Sequence, residues 1–339
     1  MSSETLTETS GSERVRNVLD RIERRQRIRR ILSVIGVLTI VVLTGLGMTY
    51  LGFTVAEVVR QFGIWVNSVG QFATPDFERF TIYSRQNAVS GWAGLYQSFL
   101  HPGTFVDSVL RNSQVPSIVG YSVVTIVIGF TGTVLGFPLA LTFGVLGSER
   151  VTPFPFNFIF RGVMSTIRAI PALVWVLIYI PLTGISPVSA MLAVGTDTIG
   201  NLGRLFTDEL EEIDEGPIEA IKSTGASRSQ TVSFGMLSQV STSFIAWTLY
   251  ILEINVRIAI SLGVIGAGGI GQYINNKIAL TEYSQAAAGI FMVIVIVLTV
   301  EMISSRLRAR LRPQEHEGSG IIESIKDLGN MEKWFGTGG

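Results

Sequence analysis

The sequence predicts an all-α, polytopic membrane protein, and its composition and its pattern of apolar runs lead to that prediction. Of the 339 residues, 47% are hydrophobic and only 15% are charged, and the mean hydropathy is +0.44. Apolar runs of about 20 residues, the length that an α-helix needs to cross a hydrocarbon core, recur along the chain. The chain has no cysteine, which excludes disulfides and cysteine-ligated metals.

Six apolar segments reach this length and predict about six transmembrane helices. In chain order they cover residues 31–50, 115–146, 156–182, 186–203, 240–264 and 286–303. The first run is longer than the apolar core of a cleavable signal peptide and has no small-residue cleavage pattern, so we expect it to stay in the mature protein.

Arginines beside the first and last segments predict the orientation of the chain. Because basic flanks stay in the cytoplasm, both termini are expected there, and two cytoplasmic ends require an even number of spans. For the arginines before the first segment, a role in membrane orientation and in contact with anionic lipid is favoured over binding of nucleic acid. The two groups are Arg14, Arg16, Arg21, Arg24, Arg25, Arg27, Arg29 and Arg30, and then Arg306, Arg308, Arg310 and Arg312.

A polar stretch, residues 203–239, separates the fourth and fifth segments and is expected in the cytoplasm. Pro217 suits the first position of a short helix, and Gly225 suits a helix end in the left-handed conformation. Ser227 and Gln230 form a capping box that begins a second short helix. Its many charges exclude burial in lipid, so we expect it to contact another protein; they are Asp208, Glu209, Glu211, Glu212, Asp214, Glu215, Lys222 and Arg228.

Within this stretch, Glu219, Ala220, Gly225 and Leu237 match the spacing Glu-Ala-Ala, three residues, Gly, nine residues, Ile-x-Leu-Pro. That pattern resembles the EAA loop of ATP-binding-cassette (ABC) importer permeases. The chain departs from it where Ile221, Gly235 and Ser238 replace the second Ala, the Ile and the Pro. Segments 168–175, 203–205, 253–257 and 262–271 are similar to the phosphonate-type branch of the family, and the resemblance covers roughly residues 116–305.

The resemblance implies the transmembrane subunit of a type I ABC importer in a prokaryotic inner membrane. A homodimer would pass its cargo along the subunit interface, two ATPase subunits would dock on the cytoplasmic face, and an extracytoplasmic binding protein would select the cargo. ATP and Mg would be bound by those ATPase subunits, with no cofactor in this chain. The implied cargo is a phosphonate, or the related oxyanions phosphite and phosphate.

The apolar runs and basic flanks, together with the resemblance over residues 116–305, divide the chain into regions. Residues 1–30 form a basic cytoplasmic tail, 31–50 the first transmembrane helix and 51–114 an extracytoplasmic segment. Residues 115–305 form the permease core, with a two-helix coupling loop at 203–239, and 306–339 a cytoplasmic tail. The residues implied in coupling to the ATPase are Glu219, Ala220, Gly225, Ala226 and Leu237.

Four charged residues lie inside the predicted spans, namely Arg168, Asp197, Glu253 and Arg257. Charges at mid-membrane depth normally face the interior of a helix bundle or a wet cavity. Glu253 and Arg257 are one turn apart with the acid first, the better order for an intrahelical pair. These charges could therefore pair with one another for structural reasons, line a translocation path, or do both. Together with Asn255, the four residues are the candidate translocation path.

No catalytic constellation is evident. The chain contains no Gly-Lys dipeptide and hence no Walker A loop, and its two histidines, His101 and His316, fall in different predicted regions. Gly266, Gly268 and Gly271 match a dinucleotide-binding pattern but lack a strand-helix unit, so we expect a close-packed helix end or a re-entrant turn there. An ion-coupled secondary transporter is the alternative function. A membrane enzyme would need a catalytic cluster, and a scaffold would not need charges at mid-membrane.

Overall fold

A computed structural model describes residues 4–311, with side-chain surroundings from residue 24 onward. Within these residues every regular element is a helix, which confirms the all-α prediction. Contacts divide the chain into two units, Met1–Val69 and Gly70–Gly339. The amino-acid sequence from residue 312 on, including most of the predicted C-terminal tail, lies outside the described residues.

The first unit contains α1 (Glu4–Tyr50) and most of α2 (Val55–Phe72). The apolar part of α1 is long enough to cross a membrane over Arg24–Tyr50, and none of its side chains is buried by the rest of the chain. An apolar helix surface left uncovered by protein is what lipid contact requires. The helix begins well before the predicted boundary at residue 31, because the arginine-rich segment continues it.

The second unit holds the remaining helices. Three short ones come first, α3 (Ile82–Gln86), α4 (Gly91–Leu100) and α5 (Gly103–Leu110). The longer helices are α6 (Ile118–Gly147), α7 (Phe156–Ala169), α8 (Ala172–Thr183), α9 (Pro187–Glu211), α12 (Leu237–Val264), α13 (Gly269–Ala279) and α14 (Tyr283–Leu311). Two short helices, α10 (Glu215–Ser223) and α11 (Arg228–Gln230), lie between α9 and α12.

Helices α6, α9 and α12 form the centre of the unit because small residues let them approach closely. Ala140, Ala190, Ala193 and Ala259 are completely buried there. A Cβ atom added to Gly132 of α6 would come within 2.6 Å of Val194 Cγ1 on α9. Close packing through small residues is the usual means of helix association in membranes.

The prediction of six spans is not reproduced by helix length and composition alone. Of the described helices, four are long and apolar enough to cross a membrane, or five if the bent pair α7 and α8 counts as one span. The predicted fourth segment, 186–203, is part of the longer helix Pro187–Glu211 but does not qualify. Its buried residues include the polar side chains Ser189, Asp197 and Thr198.

The predicted third span, 156–182, is wrong as a continuous helix. It is broken into α7 and α8, whose axes differ by 90°. Ile170 is extended (φ −99°, ψ 115°) and is followed by Pro171, which begins the next helix. Proline disfavours helical geometry in the residue before it, which explains the break. Arg168 therefore lies in the last turn of α7, just before the bend, and not in the middle of a straight helix.

Helices α3–α5 form a small layer against the ends of α6 and α14. Buried hydroxyl groups join these helices: Thr81 Oγ1 lies 2.7 Å from Ser98 Oγ, and the Ile82 N–H donates to Ser108 Oγ at 2.9 Å. The Ile118 N–H at the start of α6 donates to the Arg79 carbonyl oxygen at 2.8 Å. The predicted extracytoplasmic segment is thus an ordered part of the second unit from residue 70 on.

The glycine-rich segment between α12 and α13 is a tight turn. A Cβ atom at Gly271 would come within 2.0 Å of the Ile260 carbonyl oxygen, so the helix after the turn packs directly on the end of α12. A dinucleotide site of this type would require a β-strand before the glycines, and no strand is present among residues 4–311. The expectation of a close-packed helix end is therefore confirmed.

Candidate functional site

The polar stretch folds into a helical hairpin, residues 215–236, whose turn is the predicted one. Gly225 has φ +80° and its N–H donates to the Lys222 carbonyl oxygen at 3.0 Å. Ser227 and Gln230 form the predicted capping box, in which the Ser227 N–H donates to Gln230 Oε1 at 2.8 Å. Pro217 is the third helical residue, not the first, which a first turn also tolerates because those N–H groups have no intrahelical acceptor.

The boundaries of the predicted loop need correction at both ends. Its first part, from residue 203, is the last two turns of α9, which ends at Glu211. Its second helix is not short, because α11 passes through a π-helical turn, Thr231–Met236, directly into α12. The hairpin and α12 are therefore joined without an intervening loop.

Apolar residues fix the helical hairpin to the bundle. Ile213, Ile218 and Met236 are buried in one cluster with Phe206 and Phe244, whose rings stack with centroids 4.0 Å apart. Of the predicted coupling residues, Glu219, Ala220 and Gly225 are exposed, while Ala226 and Leu237 are half-buried. The structure thus leaves one side of the hairpin open to solvent and holds the other in the core.

Three polar contacts, made by Arg228 and Arg161, join the hairpin, α9 and α7 to the end of α6 and the segment that follows it. Arg228 Nη2 donates to the Val151 carbonyl oxygen at 2.9 Å. Arg161 forms an ion pair with Glu211 at the end of α9, and its Nε donates to the Gly147 carbonyl oxygen at 2.7 Å. These contacts connect the ends of four helices on one side of the bundle.

Sequence reasoning missed one residue of this surface, Phe234. Its side chain is 70% exposed although it is large and apolar. It lies in the π-helical turn, between Ser233 and Gly235. An aromatic residue inside the polar stretch 203–239 was the available signal, because exposed aromatic side chains are enriched where proteins meet.

A polar pocket of about 460 Å³ lies between α7, α9 and α12. Three of the five predicted path residues line it: Arg168, Asp197 and Asn255. Residues that the prediction did not include also line it, among them Asn201, Arg204, Asp208 and Tyr250. Asn201, Arg204 and Asp208 follow Asp197 at helical spacings, a signal that the sequence contained.

Arg168 and Asp197 do not pair directly but through Asn201. Arg168 Nε donates to Asn201 Oδ1 at 3.3 Å, and Asn201 Nδ2 donates to Asp197 Oδ2 at 2.9 Å. Elsewhere in the pocket, Arg204 and Asp208 are joined by two contacts, 3.0 Å from Nε to Oδ2 and 2.9 Å from Nη2 to Oδ1.

Asn255 connects the three central helices. Its Nδ2 donates to Thr133 Oγ1 on α6 and to Thr198 Oγ1 on α9, each at 2.8 Å. Both hydroxyl groups donate to backbone carbonyl oxygens one turn earlier, so they can only accept from the amide. This fixes the orientation of the amide group and leaves Asn255 Oδ1 buried without a hydrogen-bond partner.

Glu253 and Arg257, the other two candidate path residues, do not line this pocket. Glu253 is buried and pairs with Arg257 on its own helix and with Arg308 of α14, whose Nη2 lies 3.4 Å from Glu253 Oε2. Arg257 also lies 3.5 Å from Glu301. These four residues form an ion cluster that joins α12 to α14.

A chain whose described residues form only helices, four or five of them long and apolar enough to cross a membrane, has the architecture of a multi-pass membrane protein. The chain belongs to the family described as binding-protein-dependent transport system inner membrane component, whose model matches residues 132–314. That match includes the pocket and the helical hairpin.

Several known proteins are similar to this chain. A candidate phosphite transport system permease protein of Stutzerimonas stutzeri, HtxC, is 29% identical over 229 residues, 67% of this chain and 78% of that protein. The phosphate-import permease protein PhnE of Mycolicibacterium smegmatis is 32% identical over 188 residues, 55% of this chain and 35% of that protein. Among solved structures, the inward-facing MetNI methionine ABC transporter aligns with a TM-score of 0.49 at 20% identity, over 61% of this chain and 97% of that one.

Proposed function

We propose that this chain is the membrane-spanning permease subunit of an ATP-driven importer for a phosphonate or a related oxyanion, phosphite or phosphate. The family match over residues 132–314 carries the proposal, and the names of relatives in phosphite and phosphate transport support the class of cargo. ATP and Mg would be bound by partner ATPase subunits, so this chain would act without catalysis of its own.

In this proposal the helical hairpin docks on an ATPase subunit through its exposed side. Glu219, Ala220, Gly225 and Phe234 are open to solvent there, with Ala226 and Leu237 behind them. Because the hairpin continues into α12 without a loop, a displacement of the hairpin would tilt α12, and α12 lines the pocket. ATP-driven closure of the ATPase pair would thereby change access to the pocket.

We further propose six membrane crossings with both termini in the cytoplasm. The crossings would be α1, α6, the pair α7–α8, α9, α12 and α14. Helix α9 needs no apolar surface of its own because α6, α7, α8 and α12 surround it. Two contacts support this order: Val151 and the hairpin share one end of the bundle, and Pro187 lies beside Gly268 in the α12–α13 turn.

The complete machine in this proposal has further partners. A second copy of the chain would form a homodimer, and an extracytoplasmic binding protein would deliver the cargo. Exposed apolar side chains on α1 and α6 suit contact with membrane lipid. No role in binding nucleic acid is proposed.

Uptake into proteoliposomes tests the proposal. The chain would be reconstituted with its ATPase and binding protein, and uptake of methylphosphonate, phosphite and phosphate would be measured with ATP, and separately with a proton or sodium gradient alone. Uptake that requires ATP is the expected result. Uptake driven by the ion gradient without any ATPase would instead establish the alternative, an ion-coupled secondary transporter.

Docking is tested with a charge reversal on the hairpin. Glu219→Lys and Phe234→Ser should each reduce co-purification of the ATPase, because both alter the exposed side of the hairpin. Glu57→Lys, a reversal of an exposed acid on α2, is the matched control and should retain the ATPase. Equal retention by all three variants would remove the hairpin as the docking surface.

A further inference from the structure

The pocket between α7, α9 and α12 contains one cationic side chain that has no carboxylate partner, Arg168. The other arginine of the pocket, Arg204, forms two contacts with Asp208. Asp197 is buried and accepts a hydrogen bond from Asn201. Among the described side chains, no ion pair within 4.0 Å includes Arg168.

The hydrogen bonds of Arg168 leave the outer part of its guanidinium group available. Only Nε is used, by Asn201 Oδ1 at 3.3 Å, and neither Nη nitrogen donates to a residue in the described part of the chain. Asn201 in turn is held by Asp197, so the guanidinium group is oriented by a carboxylate that it does not touch. Two parallel N–H donors on a planar cation match two oxygens of a tetrahedral oxyanion.

Two local features of the fold place the Arg168 side chain in the pocket. Arg168 lies in the last turn of α7, just before the break at Pro171, and irregular backbone at membrane depth occurs where it is buried in protein or lines a wet cavity. Gly200 on α9 lets the arginine stem cross, because a Cβ atom there would come within 2.8 Å of Arg168 Cγ and 2.9 Å of Ile167 Cγ2.

We propose that Arg168 is the residue that contacts the oxyanion inside the membrane, with its Nη groups donating to two oxygens of the passing phosphonate, phosphite or phosphate. This inference rests on the proposed function as an oxyanion importer. A pocket of about 460 Å³ admits such an anion together with water. Asp197 and Asp208 balance the two arginines, so the anion is held weakly enough to leave, as transport requires.

Substitution of Arg168 tests this role in the full complex, reconstituted with its ATPase and binding protein. Arg168→Gln should lower uptake per ATP hydrolysed by about 10- to 100-fold, the range for losing a hydrogen bond to a charged group. Arg168→Lys should give an intermediate loss, since a single ammonium retains the charge but not the fork. Arg60→Gln, an exposed arginine of α2 outside the pocket, is the matched control and should retain more than half of the uptake.

A second pair of variants tests the position of the Arg168 side chain by changing Gly200, the residue on which its stem packs. Gly200→Ala should reduce uptake in the same direction as Arg168→Lys, because the added methyl group pushes the arginine stem away from the pocket. Gly162→Ala on α7, where an added Cβ atom meets nothing within 4 Å, should leave uptake unchanged.

Anion binding to the assembled complex without its binding protein provides a readout that transport does not. Line broadening of the ³¹P resonance of methylphosphonate should occur with the unaltered complex and be lost with Arg168→Gln. Uptake and broadening that survive Arg168→Gln, or losses that Arg60→Gln shares, would overturn the inference. If the unaltered complex shows no ATP-driven uptake of any of the three anions, the proposed function itself fails, and that result is distinct.

Discussion

At the residue scale, the orientation of the Asn255 amide decides what each substitution there does. Thr133 and Thr198 use their hydrogens on backbone carbonyl oxygens, so they present only lone pairs to residue 255. A donor is therefore required at this position, and an acceptor is repelled. Asparagine and aspartate are similar in size, but the asparagine amide can donate a hydrogen bond whereas an ionised aspartate can only accept one.

We expect Asn255→Asp to destabilise the protein more than Asn255→Leu. Leucine loses two hydrogen bonds worth about 1–3 kcal/mol together but also removes the unpartnered Oδ1. Aspartate places an acceptor against two acceptors and adds a buried charge. The thermal unfolding midpoint of the purified protein in detergent is the measurement, and an aspartate variant at least as stable as the leucine variant would contradict the assigned amide orientation.

The ion cluster between α12 and α14 predicts an order of stability among its variants. Glu253→Gln should cost about 3–5 kcal/mol, because it leaves the largely buried Arg308 uncompensated. Arg257 is 47% exposed, so Arg257→Gln should cost less than about 1 kcal/mol. Unfolding midpoints would test this order.

The ion pair between Glu253 and Arg308 also determines which double variant should recover stability. The double change Glu253→Gln with Arg257→Gln should restore little, whereas Glu253→Gln with Arg308→Gln should restore much of the lost stability. Full recovery with the Arg257 double variant would mean that Arg257, not Arg308, is the important partner. The sequence alone indicated only the pair one turn apart, because Arg308 lies 55 positions away from Glu253.

At the element scale, the turn of the helical hairpin depends on backbone conformation and not on packing. Gly225 has φ +80°, and an added Cβ atom would meet nothing within 4 Å. The cost of replacing it is therefore backbone strain alone, roughly 1–2 kcal/mol for most residue types and less for asparagine, which adopts this conformation more readily.

We expect Gly225→Val to insert into the membrane normally but to lose ATP-driven uptake, because the two arms of the hairpin would be re-aimed. Gly225→Asn is the matched control and should keep most of the uptake. Membrane insertion would be followed by fractionation, and uptake in proteoliposomes with the ATPase and binding protein. Normal uptake by the valine variant would show that the geometry of this turn is not needed for coupling.

At the scale of the whole molecule, the six-crossing topology is open to a direct test. The chain has no cysteine, so single cysteines report without background. Gln86 of α3 and Ser229 of α11 are both exposed and are proposed to lie on opposite sides of the membrane. An impermeant thiol reagent applied to intact cells should label Gln86→Cys and not Ser229→Cys. Labelling of both would refute the orientation and, with it, docking of a cytoplasmic ATPase on the hairpin.

The amino-acid sequence by itself determined the features that depend on neighbouring residues. Apolar runs established an all-helical membrane chain, Gly225 the turn, and Ser227 with Gln230 the start of the next helix. These are local properties, because backbone sterics and capping hydrogen bonds act within a few residues. The motif around Glu219 likewise indicated the family without knowledge of the fold.

Only the tertiary structure decided which charged residues meet. Five candidate path residues divide into a pocket with Arg168, Asp197 and Asn255 and an ion cluster with Glu253 and Arg257. The break at Pro171 and the absence of a side chain at Gly200 bring Arg168 to Asn201, 33 positions away. Such meetings depend on how helices far apart in the chain cross, and the helical period of one segment specifies a face but not the helix that will cover it.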